Sequence, residues 1–304
     1  MRDVSTWPVV EAEPLGRDRK VWLRDPTVPA MLATKEYNWL FKPVVIPRHG
    51  VSQGEDWVEK LVSELGRLLG VPCAEVDLAE RHGEAGSVSR NVVPDRWELV
   101  LGSELMSAVV PDYQEGQNNP PGRPGHSPER IVEALAECRA PIGYDHVTWA
   151  GMFAGYLVLD AWVANQDRHD QNWGVIRSSE SGALRLAPSY DHASSLDFNL
   201  MDGRRTALLG EQGIWRWAER GRANRFEHDP ELPRSRVPSL IDVARRALEL
   251  VGHDDGHWLE RLRGVERSAV DDVVRATPKL SAAARRFVVA LLDVNRRRLL
   301  GEHY

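Results

Sequence analysis

The chain has 304 residues and a formal net charge of −6 at pH 7, a balance that argues against a nucleic-acid scaffold. Its cysteines, Cys73 and Cys138, are too few for a disulfide framework and fit a reducing cytoplasm. No apolar run approaches the roughly 20 residues of a membrane span, and no N-terminal stretch resembles a signal peptide. We therefore expect a cytoplasmic globular protein of one large domain or two intimate lobes, without direct contact to membranes or nucleic acid.

The first third of the chain predicts a small sheet with one helix. Short strands are expected at 9–10 and 21–23, and the segment between them contains a single glycine, Gly16. A loop that cradles nucleotide phosphates carries several glycines, so no glycine-rich loop is predicted here. A longer strand follows at 37–46 and contains Lys42 among apolar neighbours.

Lys42 has two interpretations. A lysine in a half-buried strand usually extends its amine to solvent. In a kinase, a strand lysine instead binds the α- and β-phosphates of the nucleotide. Because nearly all other positive charge in this chain is arginine, a lysine in an apolar strand stands out, and both interpretations stay open at this point.

One helix and three strands complete this region. The predicted helix at 56–70 has apolar residues at helical spacing, an aspartate suited to the N-cap at Asp56, and a glycine at its end. Within this helix, Glu59 is either a solvated charge or the partner of the strand lysine, and Glu55 or Glu64 could equally be that partner. The strands are predicted at 73–79, 88–93 and 96–101.

The centre of the chain predicts a long loop and then an apolar helix. Segment 111–128 is rich in proline and glycine and lacks apolar periodicity, which favours a plain surface loop over a lip that faces the substrate. Ser127 and Pro128 open a short helix. The helix at 145–164 is too hydrophobic for a surface position, so we expect it to form the spine of a helical lobe.

That helix ends in a polar segment, and a hairpin then returns a second carboxylate to it. The polar segment reads Asn165-Gln166-Asp167-Arg168-His169-Asp170-Gln171-Asn172, and the hairpin delivers Pro188-Ser189-Tyr190-Asp191. Phosphoryl transfer needs a carboxylate that orients the attacking hydroxyl, an asparagine five positions later that binds metal, and a carboxylate that binds Mg²⁺. Asp167, Asn172 and Asp191 fit these three roles in that order.

A polar segment of this kind often forms nothing more than a turn. Here it lies between apolar elements, where charged groups are costly unless they are paired or used. The combination of the three residues therefore favours a catalytic site, whereas each residue alone favours it only weakly.

The motifs Asn165-Gln166-Asp167-Arg168-His169-x-x-Asn172 and Pro188-x-Tyr190-Asp191 resemble the catalytic and metal-binding motifs of the HipA-like serine/threonine kinases. The resemblance extends over most of the chain but is dense only in 153–195. It implies an α+β, two-lobed fold like that of protein kinases, with a sheet-containing N-lobe over 1–104 and a helical C-lobe over 105–304. It also implies ATP and Mg²⁺ as cofactors and a protein serine or threonine as the acceptor.

Further site residues follow from the same resemblance. Lys42 would bind the phosphates and pair with Glu59, and His169 would brace the catalytic loop. The adenine would bind backbone groups near Leu99 and Leu101, in what we expect to be the last strand of the small lobe. Many relatives are toxins with an additional N-terminal domain that supports contacts to an antitoxin. This chain is shorter, which leaves an antitoxin partner an open question.

The remainder of the chain is expected to be mainly helical. Segment 204–236 is rich in arginine and tryptophan, and it either receives an acidic or phosphorylated substrate or stacks its own side chains. We favour stacking. Helices are predicted at 238–252, 257–263, 265–277 and 281–300.

Two other functions stay open. A small-molecule kinase of the aminoglycoside-phosphotransferase type resembles this chain equally in its Asp-x-His-x-x-Asn order and its later metal-binding aspartate. A pseudokinase, which binds nucleotide or a partner without transfer, would fit the missing glycine-rich loop. The presence of Lys42, Asp167, Asn172 and Asp191 together argues against the pseudokinase.

Overall fold

The computed structural model describes residues 1–12, 20–32, 34–47, 50, 53–252 and 257–302. Gly16, and with it our expectation about a glycine-rich loop, lies outside these residues. In the described part of the chain, no helix combines the length and apolar character that a membrane crossing requires.

A twisted sheet and one helix form the small lobe. Among the described residues, six strands are hydrogen-bonded in the order β1-β5-β6-β4-β3-β2. Only β1 and β5 run parallel; the other neighbouring strands are antiparallel. The elements are β1 (Arg2–Asp3), β2 (Val9–Ala12), β3 (Val21–Arg24), β4 (Asn38–Pro43), α1 (Glu55–Leu69), β5 (Val76–Arg81) and β6 (Glu84–Arg90).

Alternation along β4 gives this sheet two different faces. Trp39 and Phe41 point into a small apolar cluster that also contains Leu23 and Val88. Because successive side chains of a strand point to opposite faces, Lys42 lies on the other face, which looks into the cleft between the lobes. The same alternation that builds the core of the small lobe therefore places its lysine towards the cleft.

The large lobe combines a second, three-stranded sheet with helices. Its strands are ordered β7-β8-β9 and are antiparallel. The elements are β7 (Trp97–Leu101), α2 (Gly102–Val109), α3 (Pro128–Ala134), α4 (Trp149–Trp162), β8 (Gly174–Ser178), β9 (Leu184–Leu186), α5 (Asp202–Leu208), α6 (Glu211–Ala218), α7 (Leu240–Val251), α8 (Trp258–Gly264), α9 (Arg267–Ala276) and α10 (Ala282–Leu299).

Helix α4 is the central element of the large lobe, as its composition predicts. Every residue from Gly151 to Trp162 is buried, and the helix contacts α7, α8 and α10. Gly155 is required for this packing, because a Cβ atom there would lie 2.4 Å from the ring of Trp258. The Trp162 indole donates to the carbonyl of Leu292 at 3.2 Å and so fixes the end of α4 against α10.

Three local predictions differ from the structure. Strand β7 pairs with β8 and not with the six-stranded sheet, so it is not the last strand of the small-lobe sheet as we expected. Helix α1 is capped by Gly54, whereas the carboxylate of Asp56 accepts a hydrogen bond from Lys279 at 2.7 Å. Helices α2, α5 and α6 were not predicted, because short helices show little apolar periodicity.

Candidate functional site

The catalytic segment begins where α4 ends, and its backbone is strained at two relevant points. Ala164, directly after the helix, has a φ of 55°, and Asp191 has a φ of 59°. Residues other than glycine rarely adopt this left-handed backbone conformation, and those that do are concentrated at functional sites. The hairpin of β8 and β9 separates the two points along the chain, as its sequence predicts.

Lys42 connects the small lobe to the predicted metal-binding carboxylate. Its Nζ lies 2.9 Å from Oδ1 of Asp191 and 3.4 Å from Oε1 of Glu59. Asp191 is 149 positions further along the chain, so no local pattern could show this contact. The structure thus brings together three residues that the sequence singled out separately.

The charges in this group determine one another's pKa values. Burial alone would raise the pKa of Asp191, but the positive charges of Lys42 and Lys20 outweigh it and hold the pKa below its ordinary value. Burial would lower the pKa of Lys42, but Asp191 and Glu59 raise it further than burial lowers it. Burial raises the pKa of Glu59 despite the nearby lysine. Asp191 is therefore ionised and able to bind a cation at neutral pH.

Lys20, which sequence reasoning did not single out, is a further cation close enough to Asp191 to lower its pKa. It directly precedes the strand pair in which Val21 lies opposite Phe41. Continuing this register places Lys20 opposite Lys42, on the same face of the sheet. Like charges in that arrangement repel each other unless they share an anion. The scarcity of lysine in the sequence was the signal that could have identified Lys20.

The predicted catalytic loop, residues 165–172, holds its own shape through short-range hydrogen bonds. The side-chain amide of Asn172 donates to the backbone carbonyl of Asp167 at 2.8 Å. The backbone N–H of His169 donates to that carbonyl as well, and the His169 Nδ1 accepts from the backbone of Gln171. These bonds fit the bracing role that we predicted for His169.

A buried arginine clamps this loop to the segment that carries Asp191. The guanidinium of Arg168 is 1% exposed and binds both carboxylate oxygens of Asp160, at 2.7 and 2.8 Å. It also donates to the backbone carbonyl of Asn172 at 2.5 Å and to the hydroxyl of Ser189 at 2.9 Å. Arg168 was part of our motif, but only the structure reveals this structural role.

The proline-rich segment 111–128 is not the plain surface loop that we favoured. The hydroxyl of Tyr113 and the backbone N–H of Gly116 both donate to the carboxylate of Asp170, at 3.1 and 2.8 Å. Further along, His126 is 1% exposed and accepts a hydrogen bond from the indole of Trp173 at 3.1 Å. The segment therefore packs against the predicted catalytic loop at Asp170 and at Trp173, which directly follows that loop.

Asp167, the predicted base, is contacted from outside its loop. Nε and Nη2 of Arg225 each lie 2.7 Å from its Oδ1, and the hydroxyl of Ser194 is 3.4 Å from its Oδ2. The pKa of His169 is lowered, mainly because the imidazole is buried. The charge of Arg225 lowers this pKa further, whereas the carboxylates of Asp167 and Asp191 raise it in part. Asp167, Arg225 and Asp191 therefore all lie close enough to His169 to act on its charge. Segment 204–236 also shows the predicted stacking, since Arg204 and Arg220 both lie over the ring of Trp217.

Strand β7 presents backbone groups towards the cleft. Its even-numbered residues face β8, because Arg96 accepts from Ser179 and Gly102 donates to Trp173. By alternation, the peptide groups of Leu99 and Leu101 point away from β8, although the Leu101 N–H is 3.3 Å from Oε1 of Glu104. The side chain of Leu99 packs on a cluster that contains the buried Ile176.

A magnesium ion fits the donor set that Asn172 and Asp191 offer. Because the Asn172 amide nitrogen is used within the loop, its Oδ1 is available. Asp191 uses Oδ1 for Lys42, which leaves Oδ2. Oxygen donors of this kind suit Mg²⁺, which takes its remaining ligands from phosphates and water. Within the described residues, no group of three or more His, Cys, Asp or Glu side chains forms a complete protein site for a metal.

Comparison with known families agrees with this geometry. The model of the HipA-like C-terminal domain matches residues 15–249, which is most of the chain. The chain belongs to this family. Our identification from the two motifs is confirmed, whereas no curated protein matches the sequence.

Solved structures extend the comparison to the fold of this HipA-like chain. The Helicobacter pylori proinflammatory kinase CtkA is similar with a TM-score of 0.68 at 16% identity, covering 98% of this chain and 95% of CtkA. HipA from Shewanella oneidensis MR-1, solved with HipB and operator DNA, is similar with a TM-score of 0.51 at 14% identity, covering 97% of this chain and 67% of HipA. The predicted α+β kinase-like fold is confirmed.

Proposed function

We propose that this chain is an ATP- and Mg²⁺-dependent kinase that transfers the γ-phosphoryl group to a hydroxyl, that of a serine or threonine in a protein. The observation that carries the proposal is Lys42, which bridges Glu59 and Asp191 across the cleft. In kinases the strand lysine pairs with a helix glutamate when the site is competent, and a nearby aspartate holds Mg²⁺.

The nucleotide would lie between the two lobes. Its adenine would hydrogen-bond to the outward-facing peptide groups of Leu99 and Leu101 and contact the apolar cluster around Ile176. Lys42 and Lys20 would bind the phosphates, so that an anion relieves the repulsion between the two ammonium groups. No glycine-rich loop was predicted for this chain. The pair of lysines would supply the phosphate contacts that such a loop would otherwise make.

The chemistry would take place on the side of the large lobe. Asn172 and Asp191 would hold Mg²⁺, which neutralises charge on the phosphates when it is bound. Asp167 would orient the acceptor hydroxyl and receive its proton, and His169 would keep the loop in place. A hydroxyl fits against Asp167, because Ser194 already places one 3.4 Å from Oδ2.

Membership of the HipA-like family favours a protein acceptor over a small molecule. A small-molecule acceptor of the aminoglycoside type would be revealed by phosphoryl transfer from ATP to aminoglycosides. A pseudokinase is disfavoured, because Lys42 contacts both Glu59 and Asp191 and the predicted base and metal ligands are all present in the chain. The complex of the Shewanella protein with HipB and DNA concerns that protein, and we do not propose the same partners here.

A thermal-shift titration with ATP tests this function most directly. At about 100 times its dissociation constant, a ligand adds about 2.7 kcal/mol to the free energy of unfolding. We expect Mg²⁺-dependent stabilisation of the wild type and its loss in Asp191→Asn, with the unliganded variant still folded. No stabilisation of the wild type would contradict nucleotide binding. Stabilisation without formation of ADP would favour the pseudokinase.

A further inference from the structure

Arg225 makes a specific contact with one oxygen of the predicted catalytic base. Its Nε and Nη2 atoms are each 2.7 Å from Oδ1 of Asp167, although the two residues are 58 positions apart. The other carboxylate oxygen, Oδ2, is approached by the hydroxyl of Ser194. The guanidinium thus fixes the carboxylate and leaves one oxygen facing a hydroxyl.

The backbone of Arg225 is anchored to the catalytic loop. Its carbonyl accepts a hydrogen bond from Nδ1 of His126 at 2.5 Å, and the His126 Nε2 accepts one from Trp173, which directly follows Asn172. The imidazole also stacks on the ring of Phe226, with centroids 5.0 Å apart. A fully buried histidine therefore connects the segment that carries Arg225 to the metal-binding end of the loop.

The guanidinium of Arg225 remains open to the cleft. Its side chain is 36% exposed, and that of Asp167 is 29% exposed. Arginine carries five N–H donors in a planar fork, of which Asp167 engages only part. Arg225 and Asp191 both lie close enough to His169 to influence its charge. The remaining donors of Arg225 are therefore partly exposed beside the predicted base.

The catalytic loop itself supplies no cation for that group. Arg168 is the one arginine between residues 165 and 172, all of which the structure describes, and it is buried against Asp160. Charge on the transferred phosphoryl group is spread over its equatorial oxygens, and an arginine that contacts them accelerates transfer in many enzymes. Arg225 occupies the position from which such a contact can be made.

We propose that Arg225 is a catalytic residue that contacts both Asp167 and the transferred phosphoryl group. This inference rests on the proposed kinase function. The acceptor oxygen forms its bond to the γ-phosphorus, and the bond from that phosphorus to the β,γ-bridging oxygen breaks, leaving its electron pair on ADP. The hydroxyl proton moves to Oδ2 of Asp167, while Arg225 donates to oxygens of the phosphoryl group.

A purely structural ion pair is the competing explanation. A half-exposed pair contributes about 0–1 kcal/mol to stability, and its loss would leave turnover by the folded enzyme nearly unchanged. A contact made in the transition state has a different consequence, because its loss lowers kcat while the affinity for nucleotide stays the same. The two explanations are therefore separated by measuring affinity and turnover on the same variants.

The test compares Arg225→Ala and Arg225→Lys with Arg220→Ala in the full chain. Arg220 belongs to the same segment, but its guanidinium lies over Trp217 and not on the catalytic loop. The measurements are the dissociation constant of ATP with Mg²⁺ and steady-state release of ADP with water as acceptor. For Arg225→Ala we expect kcat to fall by about 10³-fold, since catalytic arginines contribute about 10³–10⁵ in kcat. The dissociation constant should stay within about twofold.

Two further results are expected from these variants. Arg225→Lys should retain more turnover than Arg225→Ala, because it keeps a positive charge without the planar fork. Free guanidinium, at concentrations too low to unfold the protein, should restore part of the turnover of Arg225→Ala. Arg220→Ala should behave like the wild type in both measurements.

The outcomes that overturn this inference differ from those that overturn the kinase proposal. Wild-type turnover that persists within about threefold in Arg225→Ala would remove Arg225 from catalysis and leave the kinase proposal standing. Equal losses of ATP affinity and turnover would show that Arg225 acts in the ground state or on the fold, against the inference. A wild type that releases no ADP in the presence of Mg²⁺ would refute the kinase proposal, and the role of Arg225 with it.

Discussion

The two sides of the cleft hold their charged residues in different ways. Where the lobes meet, Lys42 and Glu59 of the small lobe and Asp191 of the large lobe hold one another, and both Lys42 and Asp191 keep part of their surface exposed. Behind the catalytic loop, Arg168 and Asp160 are almost completely buried. The charged residues expected to contact a ligand thus form ion pairs with one another and stay partly exposed. The charged residues that only support the shape of the loop are almost completely buried.

This comparison predicts opposite mutational effects on the two sides. Changes behind the loop should reduce the stability of the fold, because they leave buried polar groups without partners. Changes in the cleft should reduce binding or turnover and leave stability nearly intact. The following predictions test that division from the largest expected free-energy change to the smallest.

Arg168→Ala should lower the free energy of unfolding by about 3–5 kcal/mol, because it leaves the buried carboxylate of Asp160 unpaired. Urea unfolding monitored by tryptophan fluorescence measures this change. The matched control is Arg177→Ala on β8, which removes an ion pair to Glu98 that is about half exposed. That control should cost about 0–1 kcal/mol. Similar losses in both variants would contradict the division between buried support and accessible chemistry.

His126 should make the support behind the loop sensitive to acid. Burial lowers its pKa from 6.5 to about 4, while its two ring nitrogens bond to Arg225 and Trp173. As the pH falls, the unfolded chain binds the proton first, so stability is present above about pH 6.5 and decreases towards pH 4. The decrease attributable to His126 should reach about 3 kcal/mol.

Urea unfolding at several pH values between 7 and 4 measures this effect. The comparison is between wild type and His126→Gln, so that the acid sensitivity common to both, such as that of ionised carboxylates, cancels. The variant should be less stable at pH 7 and should show a shallower decrease in acid. Parallel pH dependences of the two proteins would show that His126 is not the group that titrates.

Asp167→Asn should cut phosphoryl transfer by about 10²-fold or more, judged from the contribution of a general base, while ATP affinity stays close to that of the wild type. Its stability should change little, since its carboxylate is accessible on the cleft side. Transfer and ATP affinity are measured on the same preparation. Parallel losses of both would mean that Asp167 acts in nucleotide binding and not as the base.

Lys20→Ala should weaken ATP binding by about tenfold, which corresponds to about 1.4 kcal/mol. The stability of the unliganded variant should change little, because the repulsion with Lys42 and the attraction to Asp191 are both removed. Lys60→Ala is the control, since that lysine pairs with Glu64 and Asp77 outside the cleft. Unchanged ATP affinity in Lys20→Ala would exclude Lys20 as a phosphate ligand.

Local features of this protein could be predicted with good accuracy. The four C-terminal helices begin and end within a few residues of their predicted bounds, because each presents apolar residues at helical spacing. The hydroxyl of Ser127 caps α3 as expected, accepting from the backbone of Arg130. The residues of the candidate site could be named as well, because their spacing within the two motifs is short and specific.

Predictions failed where a contact joins distant segments. Strand β7 was found, but its pairing with β8 depends on a choice of partner that its own residues do not encode. Segment 111–128 has the composition of a surface loop, yet its buried His126 is held by Trp173 and Arg225. A composition rule cannot identify such a residue, because the partners that make its burial favourable lie elsewhere in the chain.

The motifs were enough to recognise the family, and through the family the kind of fold, and they named the chemical groups of the candidate site. How these groups meet could be seen only in the folded chain: Lys42 reaches Asp191, the register of β3 and β4 continues towards Lys20 and Lys42, and Arg225 contacts Asp167. The difference lies in the range of the interactions. Periodicity and capping act over a few residues, whereas ion pairs and strand register join residues that only the folded chain brings within a few ångströms.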